Sequence, residues 1–320
     1  MRTFDLETIV TVARGLSPFY RSLYSRLPRE AVRLQDLPIV DSASFEEANS
    51  VEGNQILTRR PDEGVVFKTR SRGGRDQFTY YTRSEWTVET ELAGINLVKN
   101  GFRAGDRVAN MLSAAELDSG LLFLDSLLAQ TNLGLMRFPL PAHITEKAKL
   151  EILREFKINI LCGSPATLKK LAEFVTLVSA ENVDERALVR RIFFAAEFLS
   201  ERDRLFLSLV FPNASIRSLG YIHGEMGTVA YCDRECGPGE FRCLDGPVIV
   251  EILAEGTGQP IEEVGQPGLV VVTKLTRRLM PFIRVPAGEW GAWREPQGAP
   301  NRKFALLDQP SGMKTEVLHP

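Results

Sequence analysis

Cysteine, histidine and excess charge of either sign are all scarce in this chain of 320 residues. It contains four cysteines and three histidines, and its 39 Lys plus Arg nearly balance its 41 Asp plus Glu, which gives a formal net charge of −2. So small a charge argues against a protein that holds nucleic acid through phosphate contacts. Four cysteines without an export signal favour reduced thiols, as in the cytoplasm.

A long hydrophobic run is also missing. The longest apolar stretch, residues 120–140, is interrupted by Asp125, Gln130, Asn132 and Arg137, so it predicts buried core rather than a membrane span. The first seven residues include two acids, whereas a secretory signal has a basic start and an apolar run. Hydrophobic residues make up 44% of the chain and charged residues 25%, as in ordinary soluble proteins. We therefore expect a cytoplasmic protein without a membrane anchor.

Helix and strand patterns alternate over the first two thirds of the chain. Helical spacing covers the first 27 residues, residues 59–64 read as a loop, and Thr82 with Glu85 forms a capping box that starts a helix. The predicted buried stripe of that helix is Val88, Leu92 and Ile95. Strands are predicted at residues 65–67, 78–81, 107–112, 133–138, 159–162, 191–195 and 215–219. Further helices are predicted at residues 114–130, 145–156, from Ser164-Pro165 through Val175, and 201–209.

This order predicts an α/β fold with a parallel sheet covered on both faces. After Gly220 the sequence pattern changes, since it shows strand-like runs separated by Gly and Pro turns and no convincing helix. Those runs are residues 229–232, 248–253, 269–273 and 282–284. We expect an α/β body over residues 1–220, a β-rich lobe over 221–295 and a tail over 296–320.

The first candidate for chemistry is the glycine turn, Lys68-Thr69-Arg70-Ser71-Arg72-Gly73-Gly74-Arg75. Its glycines would let backbone N–H groups approach a phosphate, and its hydroxyls and guanidinium groups would add donors and charge. A solvated hairpin turn has the same composition, so both interpretations stay open for the segment alone. It is not the phosphate loop of the common nucleotidases, because Gly74 is followed by Arg-Asp rather than Lys-Ser/Thr.

A second candidate lies at residues 221–227, where the last predicted parallel strand gives way to the β-rich part. Ligands of open α/β sheets sit at the carboxyl ends of the strands. Glu225 could therefore hold Mg²⁺ beside a nucleotide, since that ion takes one or two carboxylates plus phosphate oxygens. The alternative is an ordinary solvated carboxylate in a surface loop.

The cysteines offer a weaker signal. Cys232, Cys236 and Cys243 have the spacing C-x3-C-x6-C and could hold zinc together with His223. The spacing misses the paired C-x2-C pattern, which favours reduced, partly buried thiols instead. Cys162, inside a predicted strand, is expected in the core.

Taken in order, five segments resemble the adenylate-forming superfamily, and specifically phenylacetate–coenzyme A ligase and its relatives. They are residues 69–75 with Tyr81-Thr82, 160–173, 195–201, 221–225 and 280–289. The resemblance runs from about residue 6 to residue 291. It implies the fold of that family's N-terminal domain, and it implies ATP or AMP and Mg²⁺ as cofactors.

The resemblance also implies roles for single residues. Glu225 would meet the magnesium ion, and Glu289 would hold the ribose hydroxyls. The other implied nucleotide-binding residues are Thr69, Arg70, Ser71, Arg72, Gly73, Gly74, Ala195, Ala196, Glu197, Gly220, Tyr221 and Arg284. The implied acyl-pocket residues are Leu117, Asp118 and His223, and the candidate catalytic residues are Arg72, Arg75 and His223.

Departures from the family pattern bear on the reaction. The arginines make the glycine turn unusually cationic, Gly224 stands where the family has a hydroxyl, and Glu289 stands for an aspartate. Family ligases continue into a small C-terminal domain that bears an adenylation lysine, whereas this sequence stops about thirty residues after Glu289, too few for such a domain. We therefore expect the C-terminal domain to be absent, and at most the first half-reaction, with the arginines supplying part of the missing positive charge.

The sequence thus predicts a carboxylate-adenylating, ligase-like enzyme that hands its acyl-adenylate to a separate carrier protein or reductase. Single-domain relatives modify aromatic acids, phenazine carboxylates included, in antibiotic biosynthesis, which favours an aromatic substrate. The alternative is a non-catalytic ligase homologue that binds a nucleotide or an acyl ligand. The carboxylate, the acceptor and the oligomeric state stay open, with a homodimer among the alternatives.

Overall fold

Two units of discontinuous sequence make up the chain in a computed structural model, which describes residues 3–28, 33–70, 74–113, 120–141, 143–178, 183–195 and 198–307. Unit 1 comprises residues 1–89, 223–230 and 239–320, and unit 2 comprises residues 90–222 and 231–238. The division does not follow the expected boundary at residue 220, because residues 1–89 belong with the β-rich segments. Main-chain hydrogen bonds from Phe4 to Leu275, from Val40 to Arg284 and from Thr58 to Leu279 tie the N-terminal segment to them.

The helices are α1 (Leu6–Leu16), α2 (Pro18–Leu23), α3 (Ser42–Ala48), α4 (Arg83–Lys99), α5 (Gly120–Ala129), α6 (Glu146–Glu155), α7 (Pro165–Val178), α8 (Val183–Leu188) and α9 (Glu201–Val210), with a 3-10 turn at Leu34–Asp36. The strands are β1 (Val65–Arg70), β2 (Asp76–Tyr81), β3 (Arg107–Asn110), β4 (Met136–Pro139), β5 (Ile160–Gly163), β6 (Arg191–Phe194), β7 (Ser215–Ser218), β8 (Tyr221–His223), β9 (Gly227–Tyr231), β10 (Glu240–Cys243), β11 (Val248–Leu253), β12 (Gly268–Lys274), β13 (Val285–Trp293) and β14 (Lys303–Leu307).

Unit 2 contains the parallel sheet that the alternation predicts. Its strand order is β4-β3-β5-β6-β7, and each neighbouring pair is parallel. Strand β5 is buried along its whole length, as a central strand covered on both faces must be. Helix α7 buries Leu168, Leu171, Ala172 and Val175, the face that its sequence predicts. Predicted helix residues 114–119 lie outside the described residues.

Unit 1 contains most of a seven-stranded sheet with the order β11-β12-β13-β14-β10-β9-β8, and the β1–β2 hairpin. Two expectations are wrong here. Residues 303–307 are not part of a tail, because they form β14, which pairs with β10 and β13 and buries Phe304 completely. Residues 282–284 are not a strand, because their N–H groups bond to side chains: Ile283 to the Tyr20 hydroxyl and Arg284 to the Thr273 hydroxyl.

Helix α4 also departs from its prediction. Its capping box forms as expected, since Glu85 N donates to Thr82 Oγ1 at 3.1 Å and Thr82 N donates to Glu85 Oε2 at 3.0 Å. Leu92 is buried as predicted, but the predicted stripe is wrong at Ile95, which is 54% exposed, whereas Glu85 and Glu89 are buried. Carboxylates on the inward face mean that this helix docks through polar contacts as well as apolar ones.

No helix within the described parts of the chain combines the length and the apolar composition that a membrane crossing requires.

Candidate active site

The inner face of the β1–β2 hairpin carries polar side chains. Thr69 pairs with Gln77 and Phe67 with Thr79 across the antiparallel ladder, so these four residues share one face. Gln77 is 1% exposed and Thr79 is fully buried. Within the described residues the buried Thr69 Oγ1 and Gln77 Oε1 have no hydrogen-bond partner. The hairpin thus presents unsatisfied oxygens on its buried side, on the two strands that flank the glycine turn.

The turn after β8 lies against this face. Thr79 Oγ1 donates to the main-chain oxygen of Glu225 at 3.1 Å, and a Cβ atom on Gly224 would lie 3.0 Å from Cγ2 of Thr69. His223 Nδ1 accepts from the N–H groups of Glu225 and Met226 at 3.3 and 3.5 Å. The structure therefore brings Thr69, His223 and Glu225 together, and His223 supports the turn.

The Glu225 carboxyl lies in surroundings that disfavour negative charge. Burial and, secondarily, the Glu46 carboxylate raise the pKa of Glu225 to about 7. No Lys or Arg within the described residues forms an ion pair with it, and no group of three His, Cys, Asp or Glu that could hold a metal occurs there. A divalent cation that also binds phosphate oxygens fits this half-buried carboxylate, since Mg²⁺ needs only one or two protein carboxylates.

Glu289 lies at an irregularity of β13. Leu269 pairs with Trp290 and Val271 with Pro286, so residues 287–289 of β13 lie opposite the single residue Val270 of β12. Gly288 has a φ of 78°, a conformation that glycine adopts without strain. Bulges of this kind re-aim side chains and are common beside active sites. The half-buried Glu289 follows this glycine directly.

Arg284, an implied nucleotide contact, is a buried structural residue. Its Nε and Nη2 donate to the Glu251 carboxylate at 3.0 Å each, and its Nη1 donates to the main-chain oxygen of Leu37 at 2.6 Å. It is 4% exposed and has a φ of 50°. These contacts fix the segment that leads into the Gly288 bulge, and we assign Arg284 to that role in place of a ligand contact.

Two further carboxylates, which sequence reasoning did not single out for the site, lie on α4. Glu85 Oε1 accepts from the N–H groups of Arg278 and Leu279 at 2.6 and 2.8 Å. Burial alone would raise the pKa of Glu85, but the Arg277 guanidinium and the backbone donors hold it below the ordinary value. The spacing of Glu85 and Glu89, four residues apart on one helix face, was the available signal.

Glu89 and Lys274 form a fully buried ion pair, each side chain 1% exposed, with Nζ 3.2 Å from Oε2. Glu89 Oε1 accepts from Thr228 N at 2.6 Å, and Lys274 Nζ donates to Thr228 O at 2.6 Å. Burial lowers the pKa of Lys274 although Glu89 lies beside it. A lysine at the end of the run Val270-Val271-Val272-Thr273 signals such a pair, because a buried cation needs a buried anion.

Arg277 links this network to the hairpin. The guanidinium carbon lies 3.7 Å from the centre of the Tyr81 ring, and Nη2 donates to the main-chain oxygen of Tyr80 at 2.7 Å. The side chain is fully buried. Arg277 and Glu85 therefore hold the hairpin and the 277–279 segment in one arrangement.

In unit 2, three of the implied nucleotide-binding residues follow the parallel strands. Ala195 comes after β6 and donates its N–H to Gly163 O at 3.1 Å, whereas Gly220 comes after β7 and donates to Ser218 Oγ at 3.2 Å. Tyr221 is buried. The carboxyl ends of parallel strands lie at one sheet edge, so these residues share that edge.

The structure leaves the other predicted site residues untested. Gly74 and Arg75 lie exposed at the end of the hairpin. Arg70 is described in its backbone only. Ser71, Arg72, Gly73, Leu117, Asp118, Ala196 and Glu197 lie outside the described residues.

All four cysteines are free thiols, and Cys162 is buried in the core as predicted. The Cys232 and Cys236 side chains are hydrogen-bonded to each other, which lowers the pKa of Cys236.

No family model matches the chain. The phenylacetate-coenzyme A ligase of Thermus thermophilus is 23% identical over 292 residues, which are 89% of this chain and 63% of that protein. The structure of a 2-hydroxyisobutyryl-CoA ligase in complex with 2-HIB-AMP and CoA matches with a TM-score of 0.78 and 20% identity, over 94% of this chain and 65% of that one. ATP-bound MatB from Rhodopseudomonas palustris matches with a TM-score of 0.56 and 15% identity, over 78% of this chain and 49% of that one.

The chain spans less than two thirds of the length of each of these relatives. The resemblance that the five segments carry is confirmed: the chain has the fold of the adenylate-forming ligases and is similar to phenylacetate–coenzyme A ligase along most of its length.

Proposed function

We propose that this chain activates a carboxylate with ATP, forming an acyl-adenylate and releasing pyrophosphate. The observation that supports it is the meeting, within unit 1, of the hairpin that leads into the glycine turn and the turn that carries Glu225. Thr79 and Glu225 are 146 residues apart in sequence and hydrogen-bonded in the structure. A phosphate-binding segment and a metal-binding carboxylate at one place are what attack on an α-phosphate requires.

The chain's own residues then divide the work. The hairpin end with Arg72, Gly74 and Arg75 binds the phosphates, and Glu289 accepts hydrogen bonds from the ribose. Glu225 holds Mg²⁺, which when bound neutralises the charge that develops on the leaving pyrophosphate. A carboxylate oxygen of the substrate forms a bond to the α-phosphorus. The bond between the α-phosphorus and the oxygen that bridges it to the β-phosphorus breaks, and pyrophosphate leaves.

The finer parts of the proposal concern substrate and acceptor. We favour an aromatic acid because phenylacetate names the substrate of the similar Thermus enzyme. We also favour an antibiotic pathway, on the resemblance to single-domain relatives alone. We also propose that the acyl-adenylate passes to a separate carrier protein or reductase, and that the chain performs only the first half-reaction.

The proposal is tested by ATP–pyrophosphate exchange over a panel of aromatic and aliphatic acids, with Mg²⁺. We expect exchange with at least one acid, loss of it in Glu225→Gln, and retention in Glu47→Gln, which changes an exposed carboxylate of α3. Metal-free AMP binding should survive in Glu225→Gln. Exchange with no acid despite AMP binding would favour the non-catalytic binding homologue, and abundant acyl–coenzyme A from the purified chain would contradict the half-reaction.

A further inference from the structure

The buried Glu89–Lys274 pair holds both main-chain polar groups of a single residue, Thr228. Glu89 accepts its N–H and Lys274 donates to its carbonyl, each at 2.6 Å. Gly227 packs so closely that a Cβ atom there would lie 2.6 Å from Glu89 Oε1. The two charged side chains therefore fix the start of β9 at Thr228, three residues after Glu225.

Stability is a poor reason for such a pair. Moving two charges out of water costs more than their attraction returns in many proteins, and replacement by uncharged side chains of similar volume is often neutral. What the pair supplies is a fixed position, because one acceptor and one donor bind the N–H and the C=O of the same residue. Apolar side chains would pack against Thr228 without specifying where its main chain lies.

The Glu225 turn is thereby fixed on both sides. Thr79 donates to the Glu225 main-chain oxygen at one point, and the ion pair holds Thr228 at the other. Only three residues of chain lead from Glu225 to Thr228, so loss of the hold on Thr228 would leave the Glu225 turn anchored on one side only. Neither Glu89 nor Lys274 is accessible to a ligand, because both side chains are 1% exposed.

We propose that Glu89 and Lys274 are positioning residues that aim the Glu225 carboxylate for the metal-dependent step. The part of this inference that concerns activity rests on the proposed function, and the part that concerns the position of the turn does not. The positioning role predicts that replacing the pair changes the stability of the fold little and the Mg²⁺ requirement strongly. A merely structural role predicts loss of both together.

The test compares the double variant Glu89→Gln/Lys274→Met with wild type and with Glu262→Gln, which removes a carboxylate from an ion pair with Arg302 elsewhere in unit 1. We expect an unfolding midpoint near wild type and unchanged metal-free AMP affinity in the double variant. We expect the Mg²⁺ concentration for half-maximal exchange to rise at least tenfold, and amide hydrogens of residues 225–228 to exchange with solvent at least tenfold faster.

A second variant covers failure of the double variant to fold. Glu89→Asp keeps the charge but shortens the side chain by one methylene, so it should weaken the grip on Thr228 and raise the Mg²⁺ requirement by a smaller factor. Wild-type Mg²⁺ dependence in a folded double variant or in Glu89→Asp, or unchanged amide exchange at residues 225–228, would overturn the inference. If wild type supports exchange with no acid, the proposed function fails, and the amide-exchange arm still decides the positioning role.

Discussion

Substitution of Glu85 by Gln should destabilise unit 1 in a manner that depends on pH. The carboxylate is 7% exposed and accepts three backbone N–H groups, at 2.6, 2.8 and 3.0 Å. The glutamine side chain would keep one carbonyl oxygen for Arg278 and Leu279, but without the charge that roughly doubles the strength of such bonds. The NH₂ group of the glutamine would also face the Thr82 N–H. Because both groups are donors, that hydrogen bond would be lost. Together these losses amount to about 2–4 kcal/mol at pH 7.

The sign of the pH dependence follows from the lowered pKa of Glu85. A carboxyl whose pKa is lower in the folded state stabilises the fold fully above its unfolded pKa, about 4.3, and less as the pH falls through the folded value. The difference between wild type and Glu85→Gln should therefore be constant from about pH 6 to pH 8 and shrink below about pH 4.5.

Tryptophan fluorescence gives a local readout of this change. Trp86, Trp290 and Trp293 are the three tryptophans of the chain and all belong to unit 1. Urea unfolding followed by their emission between pH 8 and pH 4 measures the difference, with Glu63→Gln, an exposed loop carboxylate, as the control. A loss below about 1 kcal/mol at pH 7, or a loss that grows on acidification, would refute the role given to Glu85.

Three shorter predictions concern other parts of the chain. Gly227→Ala should lower the stability of unit 1 by about 2 kcal/mol or more, measured by the same urea unfolding, because the φ is 76° and the new methyl group would meet Glu89. Glu289→Ala should weaken AMP binding at least tenfold in calorimetry, about 1.4 kcal/mol, and unchanged affinity would remove the ribose role. Cys236 should react with a thiol reagent well before Cys162, as peptide mass mapping would show, because the thiol pKa is lowered in Cys236 and raised by burial in Cys162.

The parallel sheet of unit 2 could be predicted because its signals are local. The central strands β5 and β6 contain short apolar runs. The start of α7 is signalled by adjacent residues, since Ser164 Oγ accepts from Thr167 N at 3.2 Å. The errors in unit 1 come from distant partners. Strand β14 has its pairing groups on β10, some sixty residues earlier, and no local pattern announces that.

The residues proposed to contact the ligand could be named from the sequence, and their ligand contacts stay a prediction, whereas the buried residues that support them could not be named. Glu225 and Glu289 stand in segments whose order resembles a known family, so their residue types and sequence positions were informative. Glu89 was hidden, because a charged residue on an amphipathic helix normally faces water. Only its position four residues after the capping Glu85, together with a lysine ending an apolar strand, pointed to a buried pair.

Buried carboxylates fix three segments of unit 1, two of which lie beside predicted ligand contacts. Glu89 holds Thr228, three residues after Glu225, and Glu251 holds Arg284, five residues before Glu289. Glu85 holds the N–H groups of residues 278 and 279. A carboxylate suits this task because it accepts several directed hydrogen bonds at once, so it fixes backbone orientation where an apolar side chain fixes only proximity. Substitutions at such positions should therefore impair metal use or nucleotide affinity by displacing the neighbouring segment, without removing any group that touches the ligand.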